Sequence, residues 1–212
     1  MPKIVDPAER RQAVADAVLR VAARDGLEHA SLRNVAEEAG LAVGSVRHYF
    51  AGSSELMIFA MRELARRIEA RIKVHAAVLL DPAPGTDRRE RTVRLLAETL
   101  PLDAERREES ALWLSFVTAA RARPDLRPRA AELQAGLDDL VRRVLVESER
   151  SGGLAPGLDL DVETRRLSAM LDGLTLQAVQ HPDLVGPDEL RAVLRHHLDT
   201  LAAPPTPSAP AS

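Results

Sequence analysis

Apolar side chains recur at three- and four-residue spacing from Pro7 to Asp25, at Ala13, Val14, Ala17, Val18, Val21 and Ala22. That period predicts a helix with one buried stripe, and Gly26 suits the residue that closes it. Ser31 is placed to cap a short second helix through Ala39, with Glu37 and Glu38 facing water, and a third short helix is expected from Val43 to Phe50. Gly52 and Ser53 open a fourth, long helix over 54–79, with Met57, Met61, Leu64, Ile68 and Ile72 on one face. No proline falls between Pro7 and Pro82, so these helices run uninterrupted.

Beyond the turn at 81–87 the pattern predicts five more helices. They run from Asp87 to Leu100, from Asp103 to Ala122, from the Pro124/Pro128 pair to Ser151, from Asp161 (as cap) to Gln180, and from Asp188 to Ala202. The expected fold is all-α with about nine helices. Residues 1–53 form a first domain, 54–202 a second, and 203–212, with nothing to bury, a disordered tail.

Composition agrees with a helical reading. Aromatics are only 2% of the chain, which leaves a β-sandwich or barrel without its usual residues. The absence of cysteine excludes a disulfide scaffold, a thiolate metal site and a cysteine nucleophile together. The longest uncharged apolar run, Ser110 to Ala120, is far short of the roughly 20 residues that span a bilayer, and MPKIVDPAERR lacks the apolar segment of a signal peptide. A cytoplasmic protein without membrane contact is expected. The overall charge of −3 conceals a slight basic excess in the first third, which permits a nucleic-acid partner without requiring one.

Enzyme chemistry finds no foothold. None of His29, His48, His75, His181, His196 and His197 has metal-ligand spacing, and the adjacent His196 and His197 point about 100° apart on a helix. No nucleophile elbow or phosphate-cradling glycine loop occurs. Asp138/Asp139 and Glu108/Glu109 read as solvated helix faces. No metal and no cofactor is implied.

The informative stretch is SLRNVAEEAGLAVGSVRHYF, residues 31–50. Ala36 is a small residue where two helices touch, Gly40 sits in the turn, and Val35, Ala39, Leu41 and Val46 pin both helices to a core. This is the pattern of a helix-turn-helix, and it leaves Ser45, Arg47, His48 and Tyr49 on the outer side of a helix that fits a DNA major groove. Arg47 has the fork to donate twice to a guanine. Ser45 suits a base edge or a phosphate, and His48, Tyr49 and Arg33 suit phosphates. Taken singly, Arg47 reads as an ordinary solvated residue and Phe50 as core. The combination of short helices with this turn is what points to DNA.

Residues 7–60 resemble the amino-terminal domain of TetR-family transcriptional regulators, on the Ala36/Gly40 turn, the VGSVRHYF run and Glu55–Leu56 opening the long helix. LDGLTLQAV at 171–179 resembles the BetI-like carboxy-terminal domain. The resemblance implies a ligand-responsive homodimeric repressor binding double-stranded DNA at a palindromic operator. Contacts are then expected from Ser31, Arg33, Gly44, Ser45, Arg47, His48, Tyr49 and Ser53. Three positions depart from the family pattern. Arg47 and Ser53 stand where Tyr and Lys are common, and Ala42 replaces a Ser or Thr cap, so weaker nonspecific binding is expected.

The second domain supplies the other two expectations. Leu167, Met170, Leu171, Leu174 and Ala178 form one apolar stripe, and Ala169, Gly173, Leu176 and Gln180 a second. A helix apolar on two sides buries both, so the second stripe either widens the core of its own chain or, as expected here, meets a partner copy together with Leu190, Val193, Leu194, Leu198 and Leu201. Trp113 and Phe116 either belong to the core or wall a hydrophobic effector cavity with Met61, Met170 and Leu174. Two rival readings stand beside the repressor. One is an activator or protein-responsive regulator of the same fold; the other is a helical adaptor whose helix-turn-helix face meets protein.

Overall fold

The computed structural model describes residues 7–80 and 87–203, and every described element is helical. The helices are α1 (Pro7–Asp25), α2 (Leu32–Glu38), α3 (Val43–Tyr49), α4 (Ser53–Leu80), α5 (Arg88–Ala97), α6 (Ala104–Ala122), α7 (Arg127–Arg150), α8 (Leu160–Gln180) and α9 (Pro187–Thr200). A single 3-10 turn, Leu27–His29, separates α1 from α2 and buries Leu27. The expected turn at 81–87 (all but Asp87) and the expected disordered tail (all but Ala203) lie outside the described residues.

Two apolar cores organise the chain. The first gathers Val14, Val18 and Val21 of α1, Val35 and Ala36 of α2, Val46 of α3, and Leu56, Met61 and Leu64 of α4. It also takes in Leu112, Phe116 and Ala120 of α6 and Leu126 beyond it, so the far half of α6 packs on α1, the 3-10 turn and α4. The second core joins Val93, Leu95 and Leu96 of α5 with Val141 and Leu145 of α7, Leu167, Leu171 and Leu174 of α8, and Leu190, Leu194 and Leu198 of α9. At about 1.5 Å per residue, α4 is a rod of about 42 Å that reaches both, with Met57 to Leu64 in the first and Ile72 and Ala76 against the second.

Polar contacts fix how these helices meet. Arg71 of α4 grips Glu109 of α6 with two hydrogen bonds, 3.1 and 2.6 Å, while Glu98 takes Arg106 at 3.0 Å and His75 at 3.1 Å. At the other end of α6, Arg123 donates to Ser54 Oγ, lies 3.4 Å from Met57 Sδ and pairs with Asp125 at 3.6 Å. The α7–α8 loop is clipped to the carboxy-terminal end by Ala155 N–H to Leu201 O (2.9 Å) and Ala203 N–H to Gly153 O (3.2 Å).

Several sequence expectations need correction. Ala13 is exposed, and Ala15, wholly buried, takes its place on the inner side of α1. Asp159, not Asp161, caps α8, accepting from the N–H groups of Asp161 and Val162; Asp161 pairs instead with Arg142. Glu38 and Glu109 are not solvated faces: Glu38 is held by Arg20 and Arg24, and Glu109, only 9% exposed, by Arg71. Leu190, Leu194, Leu198 and Leu201 are between 0% and 7% exposed within the single chain, so they are core and not free to meet a partner. Their spacing reports one buried stripe, and within this chain α5, α7 and α8 already fill it.

Candidate nucleic-acid interface

The turn between α2 and α3 is built by backbone hydrogen bonds that only a left-handed residue completes. Leu41 N–H reaches back to Ala36 O at 2.8 Å and Gly40 N–H to Glu37 O at 3.1 Å, with Gly40 at φ +66°. This pair of bonds closes the carbonyl end of α2, and a side chain at Gly40 would be strained in that conformation. Ser31 Oγ accepts Asn34 N–H at 3.2 Å at the start of α2, and Asn34 Nδ2 donates to His29 O at 2.9 Å. Ala42, as expected of its side chain, gives α3 no such cap.

Three anchors orient α3. Ala36 and Val46 are wholly buried where α2 and α3 meet the core, and Phe50, ending α3, stacks at 5.1 Å on Phe59 of α4. Pinning these residues inward turns Gly44, Arg47 and His48 outward, all exposed, with Ser45 and Tyr49 half-buried beside them. A Cβ built on Gly44 would meet nothing within 4 Å, so the backbone there is open to approach. Arg33 is exposed in the first turn of α2. Ser53 is the first residue of α4, one past the cap position, and Glu55 closes that end by accepting Ala51 N–H at 2.7 Å.

Charge is distributed unevenly over this unit. Arg20 and Arg24 both bond Glu38, at 2.7 and 2.8 Å, and Arg24 also holds Asp25 at 2.8 Å. Those arginines keep the Glu38 and Asp25 carboxyls below the ordinary carboxylate range. Arg33 and Arg47 have no carboxylate partner among the described residues. Both therefore keep an exposed positive charge, of the kind that a phosphate backbone attracts.

The other candidate residues divide between the cores. Met61 and Phe116 are buried in the first, with Trp113 packed against it, while Leu174 is buried in the second with Met170 against it. Two surface depressions open elsewhere. One of about 430 Å³ lies between α6 and α7 at Val117, Ala120, Arg121, Arg127 and Ala130. The other, about 330 Å³, is charged, at Arg71, His75, Glu98 and Arg106 among others. Neither is lined by any of those five residues. On α8 the stripe Ala169, Leu176 and Gln180 is exposed, with Gly173 half-buried in it; Leu176 is 41% exposed. Of the α9 residues expected to face a partner, Val193 alone is exposed, at 38%; sequence reading missed Val162 of α8, 51% exposed, and a valine off the buried leucine spacing was the available signal.

No described helix is long and apolar enough to cross a membrane, and among the described residues no three His, Asp or Glu side chains cluster around a common metal position.

Known proteins resemble the chain over nearly its whole length. Residues 88–203 match the profile of the BetI-type transcriptional repressor, C-terminal domain. The HTH-type transcriptional regulator PksA of Bacillus subtilis is 34% identical over 206 residues, 97% of this chain and 96% of the relative. Among solved structures, a transcriptional regulator from Rhodococcus sp. Rha1 superposes with a TM-score of 0.74 at 29% identity, covering 90% of this chain and 95% of that one. The multidrug binding protein EbrR, complexed with ethidium, gives 0.63 at 30% identity over 89% of this chain and 98% of that one. These are regulators and ligand binders, not enzymes. The chain belongs to the TetR family of transcriptional regulators and carries a BetI-type carboxy-terminal domain.

Proposed function

We propose that the chain is a homodimeric repressor that binds a palindromic operator through α3 and leaves it when a small, hydrophobic effector binds. Residues 1–53 read DNA and residues 54–202 carry the effector and dimer functions. The observation that carries this is the outward, unneutralised face of α3 and α2. There Arg47 reads a base edge, and Arg33, His48, Tyr49, Ser45, Ser53 and the open backbone at Gly44 meet phosphates. Ser31 serves this surface by capping α2.

A unit this small makes few contacts, so two copies on two half-sites are needed for affinity. The proposed seam is the exposed α8 stripe of Ala169, Gly173, Leu176 and Gln180, extended by Val162 and by Val193 of α9. The small residues at its centre allow close approach of a partner helix.

The proposed effector seat lies among the middle helices, with Met61, Trp113 and Phe116 on one side and Met170 and Leu174 on the other. In the present conformation these side chains are packed, so a ligand that enters must separate them. That requirement gives the ligand a preference for the opened state, without which no equilibrium shifts. Since α6 packs on α8 and also on α1 and α4, opening there is carried to the helices that support α2 and α3.

The test is selection of bound sequences from random duplex DNA by the purified full-length protein. A two-fold symmetric consensus supports the proposal; no enrichment, or an asymmetric single site, overturns it.

A further inference from the structure

We infer that Arg11 of α1, outside the helix-turn-helix, is part of the nucleic-acid interface as the positioning residue for Tyr49. The inference rests on the DNA-binding reading above and extends it to a helix that the reading leaves as scaffold.

Arg11 is exposed, and its guanidinium carbon lies over the Tyr49 ring at 5.4 Å from the centroid. On the same ring, His48 meets Tyr49 edge to face, with centroids 5.3 Å apart and planes at 74°. Tyr49 also packs against the first core. The ring is thus located by three contacts, and only one of them, the cation, comes from outside α3 and the core.

The charges on α1 are used differently along its length. Arg20 and Arg24 are drawn to Glu38 and Asp25. Arg11 has no carboxylate partner among the described residues, and its contact is an aromatic face. A guanidinium over the face of a ring engages the π-system and not the phenol oxygen, so this contact fixes the ring while leaving the Tyr49 hydroxyl free for a phosphate. Tyr49 ends a helix of only seven residues, and beyond the core at its base and the neighbouring His48 its ring is held from α1 alone. Arg11 supplies that hold.

The experiment uses the full-length protein and the duplex recovered by selection, with fluorescence anisotropy as the readout. Arg11→Ala, Arg11→Met, Arg11→Lys, Tyr49→Ala and the double variant Arg11→Ala/Tyr49→Ala are compared, with circular dichroism melting curves as the check on folding. Arg11→Ala and Arg11→Met are each expected to weaken binding about fivefold, alike on the consensus and on singly substituted duplexes, while Arg11→Lys stays within about twofold of wild type. Removing Arg11 from the Tyr49→Ala protein is expected to cost nothing further, because the residue acts through the ring. Additive losses in the double variant, or undiminished binding by Arg11→Ala, overturn the inference. Failure of the wild-type protein to bind any duplex is a separate result, which overturns the DNA-binding reading and this inference with it.

Discussion

Arg71 of α4 and Glu109 of α6 are joined by two parallel hydrogen bonds, Nη1 to Oε1 at 3.1 Å and Nη2 to Oε2 at 2.6 Å, around a carboxylate only 9% exposed. The pair ties α4 to the near half of α6, while the apolar core ties the far half. Glu109→Gln keeps the shape but removes the charge, leaving a partly buried guanidinium with Glu98 as its remaining counter-ion. A loss of about 1–2 kcal/mol is expected in urea unfolding, because a charge-assisted bond is exchanged for a neutral one. An unchanged midpoint would mean the pair only breaks even against its desolvation.

Arg123 plays the corresponding part at the other end of α6, where it contacts Ser54 and Met57 in the first two turns of α4. The hydrogen bond from Ser54 and the nearby Arg123 charge hold the Asp125 carboxyl below its ordinary range. Arg123→Ala is expected to lower the melting temperature by about 2–4 °C, the equivalent of about 1 kcal/mol at this chain length. It is also expected to speed proteolytic cutting near residue 52, since the start of α4 loses its brace. Equal cutting rates in the two proteins would deny that role.

Leu194 and Leu176 separate the two functions that sequence reading had merged. Leu194 is wholly buried, so Leu194→Ala is expected to cost about 2–5 kcal/mol of stability. Leu176 is exposed, so Leu176→Asp is expected to leave the folded protomer intact and dissociate the proposed dimer, as read by sedimentation velocity. A Leu176→Asp protein that stays dimeric would move the seam elsewhere.

Burial holds the His197 imidazole below its ordinary value of 6.5; Arg166 pushes the same way and Glu163 opposes. The unfolded chain therefore takes up this proton at a higher pH than the folded one does. Its contribution to stability is complete above pH 6.5 and is lost as the pH falls through the lower folded value. Melting temperatures at pH 7.5 and 5.5 are expected to fall more for wild type than for His197→Gln. Parallel falls would remove His197 as a cause.

The local grammar of the first domain is legible from sequence because its signals are local. Gly40 at the turn, Ser31 as a cap and Ala36 at the helix contact each act within a few residues of themselves. What the sequence conceals depends on partners far along the chain. The heptad-like leucines of α9 announce a buried stripe but not whether the same chain or a second copy buries it. Glu109 looks like a solvated acid until Arg71, 38 positions away, is placed against it. Arg11 is likewise one exposed arginine among several until α1 lies beside the end of α3.

The most direct measurement compares wild type with Arg47→Ala on the selected operator and on duplexes substituted one base pair at a time. A loss of about 1–3 kcal/mol on the operator, with discrimination relaxed at one base pair of each half-site, is the expected result. A uniform loss on every sequence, or none, would contradict base reading by Arg47.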